Sequence, residues 1–156
     1  MQTTFEAVFG HSQILVARPE AATAGGLLGV LLSAPPHRYP FPRPALGAQL
    51  RCLWGQGFGV QRRWSKVYDR LFAIHPREPH WYLSILGVSP DRQGAGVGTR
   101  LLEDWLLDVD ARGHPAYLET DREQNLAFYA RAGFEISKEL EILDVPIWCL
   151  WRPGRR

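Results

Sequence analysis

At 156 residues and 46% apolar content, the chain is long enough to bury a core and too apolar for a disordered polymer. Its formal net charge of +2 comes without a basic run dense enough for a nucleic-acid surface, since Arg62-Arg63 and Arg155-Arg156 are short and far apart. Cys52 and Cys149 are too few and too distant for a metal site or disulfide framework, no apolar run reaches bilayer length, and the opening MQTTFEAVFG is no secretion signal.

These bounds predict one domain over residues 1–156, cytoplasmic, with reduced thiols and neither a membrane nor a nucleic acid as partner. Gln13 to Ala17 (QILVA) and Gly26 to Ser33 (GLLGVLLS) read as a hairpin with Arg18 to Ala24 as its turn. Pro35 and Pro36 end it, and Pro40, Pro42 and Pro44 extend an irregular connector. From Ala45 to Ile74 the rhythm is helical: Leu46, Leu50 and Leu53, then Val60, Trp64, Val67, Tyr68, Leu71 and Phe72. Gly55, Gly57 and Gly59 interrupt it, which predicts two helices with a break. Trp54, Phe58, Trp64 and Tyr68 form an aromatic stripe that reads as core ahead of the lining of an acceptor pocket.

His75 to His80 (HPREPH) is a turn, and Trp81 to Val88 a strand with Trp81, Leu83 and Ile85 on one face. Gly87 marks an expected bulge or close backbone approach. A glycine-rich loop then enters a helix whose Val97, Leu101, Leu102, Trp105, Leu106 and Val109 share a stripe, stopped by Gly113 and Pro115. Ala116 to Glu119 returns parallel to the previous strand, completing a βαβ unit. Thr120 and Glu123 have capping-box spacing for a short helix that carries Asn125, Phe128 and Tyr129 and ends at Gly133. Phe134 to Leu140 and Ile147 to Trp151 read as antiparallel strands, with Asp144-Val145-Pro146 near their turn. The fold class is α/β with a mixed sheet.

The loop carries the chemistry. Gly94, Gly96 and Gly98 let backbone N–H groups approach a ligand with no Cβ in the way. The helix that starts there points its unpaired N–H groups and positive dipole end the same way, an arrangement that binds phosphate. A Walker loop would need a Lys before Ser or Thr, but Thr99 follows Gly98 directly. A dinucleotide loop would need a glycine where Thr99 stands. What remains is Gln93-x-x-Gly96-x-Gly98, or else a plain flexible connection. Asn125 and Tyr129, four apart, share a helical face; taken alone they read as a surface amide and a structural aromatic.

The segments EPHWYLSILGVSPDRQGAGVG, PAYLETDREQNLAFYARAGFE and PIWCLWRPG lie between about Glu78 and Arg152. Together they resemble the core of the GCN5-related N-acetyltransferase (GNAT) family, most nearly the branch that includes puromycin N-acetyltransferase. The resemblance implies a mostly antiparallel mixed sheet with a central splayed parallel strand pair and flanking helices. It implies acetyl-CoA as cosubstrate and no metal. The pyrophosphate would lie on Gln93, Gly94, Ala95, Gly96, Val97, Gly98 and Thr99. The pantetheine arm would pair with backbone near Leu86, Gly87 and Val88, as an added strand does. Asn125 and Phe128 would stand beside that arm and the thioester.

Tyr129 would be the general acid, and the Val88 N–H the oxyanion donor. Glu119 is the leading base, directly or through water, and His80 the second. The implied activity is acetyl transfer to a primary amine of a small molecule by direct attack. A peptide or protein amine is the alternative acceptor. A non-catalytic acyl-CoA-binding module and a dinucleotide-binding protein are the alternatives of other classes. The family's fold begins with a strand and one or two helices, whereas about a dozen residues precede Ile14. A late-assigned start, a covering partner subunit or a shortened enzyme would each account for that. The open edge of the first strand is expected to promote a homodimer.

Overall fold

A computed structural model of the protein describes residues 12–18, 26–41 and 46–155. Strands β1 (Gln13–Ala17) and β2 (Gly29–Ala34) pair antiparallel, as their alternating and β-rich runs require. The expected turn between them lies, after Arg18, outside the described residues, as does the segment before Ser12. Helix α1 (Leu46–Ile74) breaks at a single glycine, Gly57, with φ 80° and ψ 162°. Strand β3 (Trp81–Val88) leads through a 3-10 turn (Pro90–Arg92) into α2 (Val97–Ala111) and β4 (Ala116–Thr120). A second 3-10 turn (Glu123–Asn125) precedes α3 (Leu126–Arg131), and β5 (Glu135–Ile142) and β6 (Val145–Arg152) end the fold. The sheet order is β1-β2-β3-β4-β6-β5, and β3–β4 is its one parallel pair among the described residues.

The two faces of the sheet differ in character. On one, α2 lays Leu101, Leu102, Trp105, Leu106 and Val109 against Leu31, Trp81, Leu83, Ala116, Leu118 and Leu150. Each leucine or valine of this set contributes about 1.5–3 kcal/mol on burial. Tyr129 and Phe134 close this core from the α3 side. The other face carries the alternate residues Tyr82, Tyr117, Glu119 and Trp151, which meet the end of α1 and the connector residues Tyr39 and Phe41. Among the described residues no helix is long and apolar enough to cross a membrane.

Three expectations need correction. The aromatic stripe of α1 is not core: Trp54 is 90% and Phe58 80% exposed, and Trp64 and Tyr68 are exposed as well. Helical spacing put these rings on one side, but no described element covers that side. The bulge lies at Ser84, not Gly87. Leu32 pairs with Ile85 and Ser33 with Leu83, so Ser84 is the extra residue, while Gly87 stays in register with Val30. The last hairpin turns at Leu143 and Asp144, both left-handed (φ 54° and 62°), so Val145 and Pro146 already belong to β6.

Arg152 joins three elements. Its guanidinium meets Asp110 of α2 in a two-pronged contact (Nη2 to Oδ2 2.9 Å), and its Nε–H donates to the Ala132 carbonyl just past α3 (2.9 Å). Arg152 is buried and Asp110 mostly so. Arg152→Ala leaves that carbonyl without its donor and the carboxylate with only Arg155 Nη1 at 3.7 Å, and should lower unfolding stability by about 2 kcal/mol in urea titration. Hydrogen bonding to Arg152 holds the Asp110 carboxyl below the usual carboxylate range. The pair therefore stabilises the fold above roughly pH 4 and loses that contribution as pH falls through the lowered value. In Asp110→Asn the acid limb of the stability curve should be correspondingly flatter.

Candidate active site

The sheet opens between its two central strands. The parallel ladder begins with the Trp81 N–H on the Pro115 carbonyl (2.9 Å) and pairs only Trp81 with Ala116 and Tyr82 with Tyr117. Beyond that, β3 keeps its pairing to β2 and β4 its pairing to β6. Hydrogen-bond parity shows which groups line the opening. Ser89 N–H donates to Leu28 C=O across the β2 side (2.9 Å). In an antiparallel ladder alternate residues bond to the same neighbour, so Gly87 and Ile85 also face β2. Leu86 and Val88 therefore turn their N–H and C=O groups into the gap.

The glycine turn closes one end of this gap. Gly94 and Gly96 take left-handed backbone (φ 78° and 80°), and a Cβ on either would meet no atom within 4 Å. The first i-to-i−4 bond of α2 runs from Arg100 N–H to Gly96 C=O (3.0 Å). The amides of Val97, Gly98 and Thr99 are thus open at the helix start, where Gly96 supplies no side-chain cap. Two amides of the turn are engaged internally: Gln93 on Pro90 C=O (3.5 Å) and Ala95 on Arg92 C=O (3.3 Å). The Gln93 side chain instead donates to Val88 C=O (3.3 Å), which leaves the Val88 N–H as that residue's open group.

Gly98 brings the predicted pieces together. A Cβ there would lie 3.4 Å from Val88 Cγ2 and 3.9 Å from the Phe128 ring. Strand end, loop and α3 are therefore neighbours. Tyr129 packs edge-on to Phe128 (5.0 Å) and Phe134 (5.9 Å), and burial raises its phenol to about 12. The expected capping box does not form. Thr120 Oγ1 instead accepts from the Arg122 N–H (3.3 Å) and from Asn125 Nδ2 (3.1 Å), so the hydroxyl braces the turn and orients Asn125. A depression of about 620 Å³ borders Arg122, Glu123 and Gln124 in this turn.

Glu119 sits on the opposite face, in an aromatic enclosure. Its Oε1 is 3.6 Å from His75 Nδ1. Tyr39 stacks on His75 (3.7 Å), with Tyr82 and Tyr117 edge-on (5.0 Å each). Burial first, then the Glu119 carboxylate, push the phenols of Tyr82 and Tyr117 above their usual value; burial does the same for Tyr39, with Tyr68 and Glu119 adding to it. His80 lies behind His75, its Nε2 3.0 Å from His75 Nε2 and its Nδ1 2.6 Å from Glu78 C=O. His80 is thus one residue removed from the carboxylate, with His75 between them. Sequence reading passed over His75; two histidines five apart around a proline turn were the available signal.

The family model described as "Acetyltransferase (GNAT) domain" matches residues 55–136. The N-alpha-acetyltransferase RimI of Mycobacterium tuberculosis is 50% identical over 100 residues, 62% of this chain and 62% of that protein. A mycothiol acetyltransferase of Propionibacterium freudenreichii is 36% identical over 76 residues, 47% of this chain and 23% of that protein. The chain thus spans less than two thirds of these curated relatives. Among solved structures, a histone acetyltransferase HPA2-related protein of Corynebacterium glutamicum superposes with a TM-score of 0.69 at 23% identity, covering 99% of this chain and 71% of that one. The chain belongs to the GNAT acetyltransferase family.

The open ladder has a direct solution signature. Amide hydrogens of Leu86 and Val88 should exchange at least about tenfold faster than those of Ile85 and Gly87 in the ligand-free protein, measured residue by residue by NMR. Uniform protection along β3 would mean the strands are paired throughout.

Proposed function

We propose, starting from that family membership, that the chain transfers the acetyl group of acetyl-CoA to a primary amine of a small molecule. The observation that carries the reading is the gap beyond Tyr82 and Tyr117, lined by the open Leu86 and Val88 backbone and ended by the amides of α2. Their spacing along one opening suits a ligand with an anionic head and an amide-bearing arm, the former on Gly96 to Thr99, the latter paired as an added strand. Acetyl-CoA would supply an activated thioester carbonyl.

The residues then divide the work. Glu119 takes a proton from the acceptor ammonium, because only the neutral amine has a lone pair to attack with. The nitrogen forms its bond to carbon, and the Val88 N–H donates to the developing oxyanion. As the carbon–sulfur bond breaks, the Tyr129 hydroxyl gives its proton to sulfur. Tyr129 recovers a proton from the acylated nitrogen, so the net release is the single proton held at Glu119. Tyr129 is protonated at neutral pH, as an acid must be, and burial holds its proton more firmly still. Asn125 stands beside the arm of the cosubstrate, braced by Thr120.

A peptide α-amine is the second reading, favoured by the likeness to RimI. A cytoplasmic setting, with buried Cys149 as a free thiol, belongs to the same proposal. So does a homodimer joined at β1, one of the two edge strands among the described residues, for which light scattering at high concentration should give twice the monomer mass.

Thiol release from acetyl-CoA across small amines and peptides tests the acceptor class. Acetylation of small amines supports the first reading, and turnover with peptides alone transfers it to the second. Stabilisation by acetyl-CoA without any acetylation would make the chain a binding module. Tyr129→Phe should lower kcat by about 100-fold while acetyl-CoA affinity stays within about twofold. Equal losses in both would remove the acid role.

A further inference from the structure

The cluster around Glu119 has a hydrogen-bonding pattern that does not close. A carbonyl can only accept, so His80 Nδ1, 2.6 Å from Glu78 C=O, carries the hydrogen. Burial lowers the basicity of His80, which keeps it neutral with a lone pair on Nε2. His75 Nε2, 3.0 Å from that atom, must then donate. A neutral His75 is left with a bare Nδ1. That atom is buried, has no hydrogen-bond partner among the described residues, and faces Glu119 Oε1 at 3.6 Å. The two side chains are only 6% and 10% exposed. Two lone-pair-bearing atoms face each other in a nearly dry site. One added proton turns their repulsion into an ion pair.

We propose that His75 is the positioning residue of the base, sharing with Glu119 the single proton that the acceptor ammonium loses. The proposal rests on the acetyl-transfer reading above. Deprotonation breaks one N–H bond of the ammonium and forms one at His75 Nδ1, by way of the Glu119 carboxylate. The electron pair stays on the acceptor nitrogen for attack. The stored proton returns to solvent after turnover. In the loaded state His75 is an imidazolium whose Nδ1–H meets Glu119 and whose Nε2–H meets His80. The stacked Tyr39 ring, 3.7 Å away and tilted by 21°, favours that cation.

The groups around His75 are accounted for from each element. Glu119 and Tyr117 face it from β4, Tyr82 from β3, His80 from the turn before β3, and Tyr39 from the connector after β2. Tyr68 of α1 and Cys149 of β6 lie behind Tyr39 and Glu119. Burial keeps the phenols of Tyr39, Tyr82 and Tyr117 neutral, so Glu119 is the sole anion of this set.

Two measurements test this. Ring-nitrogen NMR of the full chain should show neutral His75 protonated at Nε2 and bare at Nδ1, and Glu119→Gln should move its proton uptake to lower pH by about one unit. In the pH profile of kcat/KM, His75→Gln should shift the acid limb down by about one unit and lower the plateau about 10- to 100-fold. A purely structural His75 would lower the plateau and leave the limb in place, which overturns the proposal. A neutral His75 with its hydrogen on Nδ1 overturns it too, and needs no variant to fold. Failure of the wild type to acetylate any amine would count against acetyl transfer itself, while the NMR result still decides whether the two groups share a proton.

Discussion

The parallel ladder between β3 and β4 stops after two residue pairs, and the candidate site depends on that stop. Both strands stay anchored on their outer sides, β3 to β2 and β4 to β6, so the opening does not loosen the sheet. The unpaired backbone groups would be costly if buried dry, and facing an open gap they can meet water or a ligand instead. The bulge at Ser84 gives a local cause. An extra residue increases the twist of β3 two positions past its last contact with β4, and turns the rest of the strand away.

The gap also joins two unlike environments. Tyr129 belongs to the apolar face, among Phe128, Phe134 and the core under α2, where nothing nearby favours the phenolate. Glu119 belongs to the other face, with histidines and phenols as neighbours. Groups meant to donate and to accept protons are most readily tuned apart when their surroundings differ this much. In the proposed mechanism the sheet itself is the partition, and its central opening is where both sides reach one substrate.

What was legible in the sequence is local. The βαβ unit, the α2 stripe and the glycine turn each rest on spacing within a few residues, and the structure follows them closely. The residues that failed depend on distant partners. The bulge position is a matter of register with β2, so Gly87 drew attention while Ser84 took the extra residue. Thr120 and Glu123 have capping-box spacing, but the Thr120 hydroxyl binds Asn125 and the Arg122 amide instead. Helical period placed the α1 aromatics on one side without saying what, if anything, covers it. The spacing of His75 and His80 around the proline turn hints at a pair, but His75 meets Glu119 only when the end of α1, the following turn and β4 converge.

Arg152 shows how a residue with no place in the proposed chemistry still positions the elements that carry it. Its side chain grips the Ala132 carbonyl at the end of α3 and Asp110 at the end of α2. Tyr129 lies in the last turn of α3, where its own carbonyl accepts the amides of Ala132 (3.0 Å) and Phe134 (3.1 Å). The helix that bears Tyr129, the proposed acid, is therefore tied at its C-terminal end to the helix that starts at the glycine turn. At the other end the two helices meet through Gly98 and Phe128. A short helix of six residues has little stability alone. Held at both ends, it fixes Tyr129 relative to the start of α2, as the proposed acid role requires.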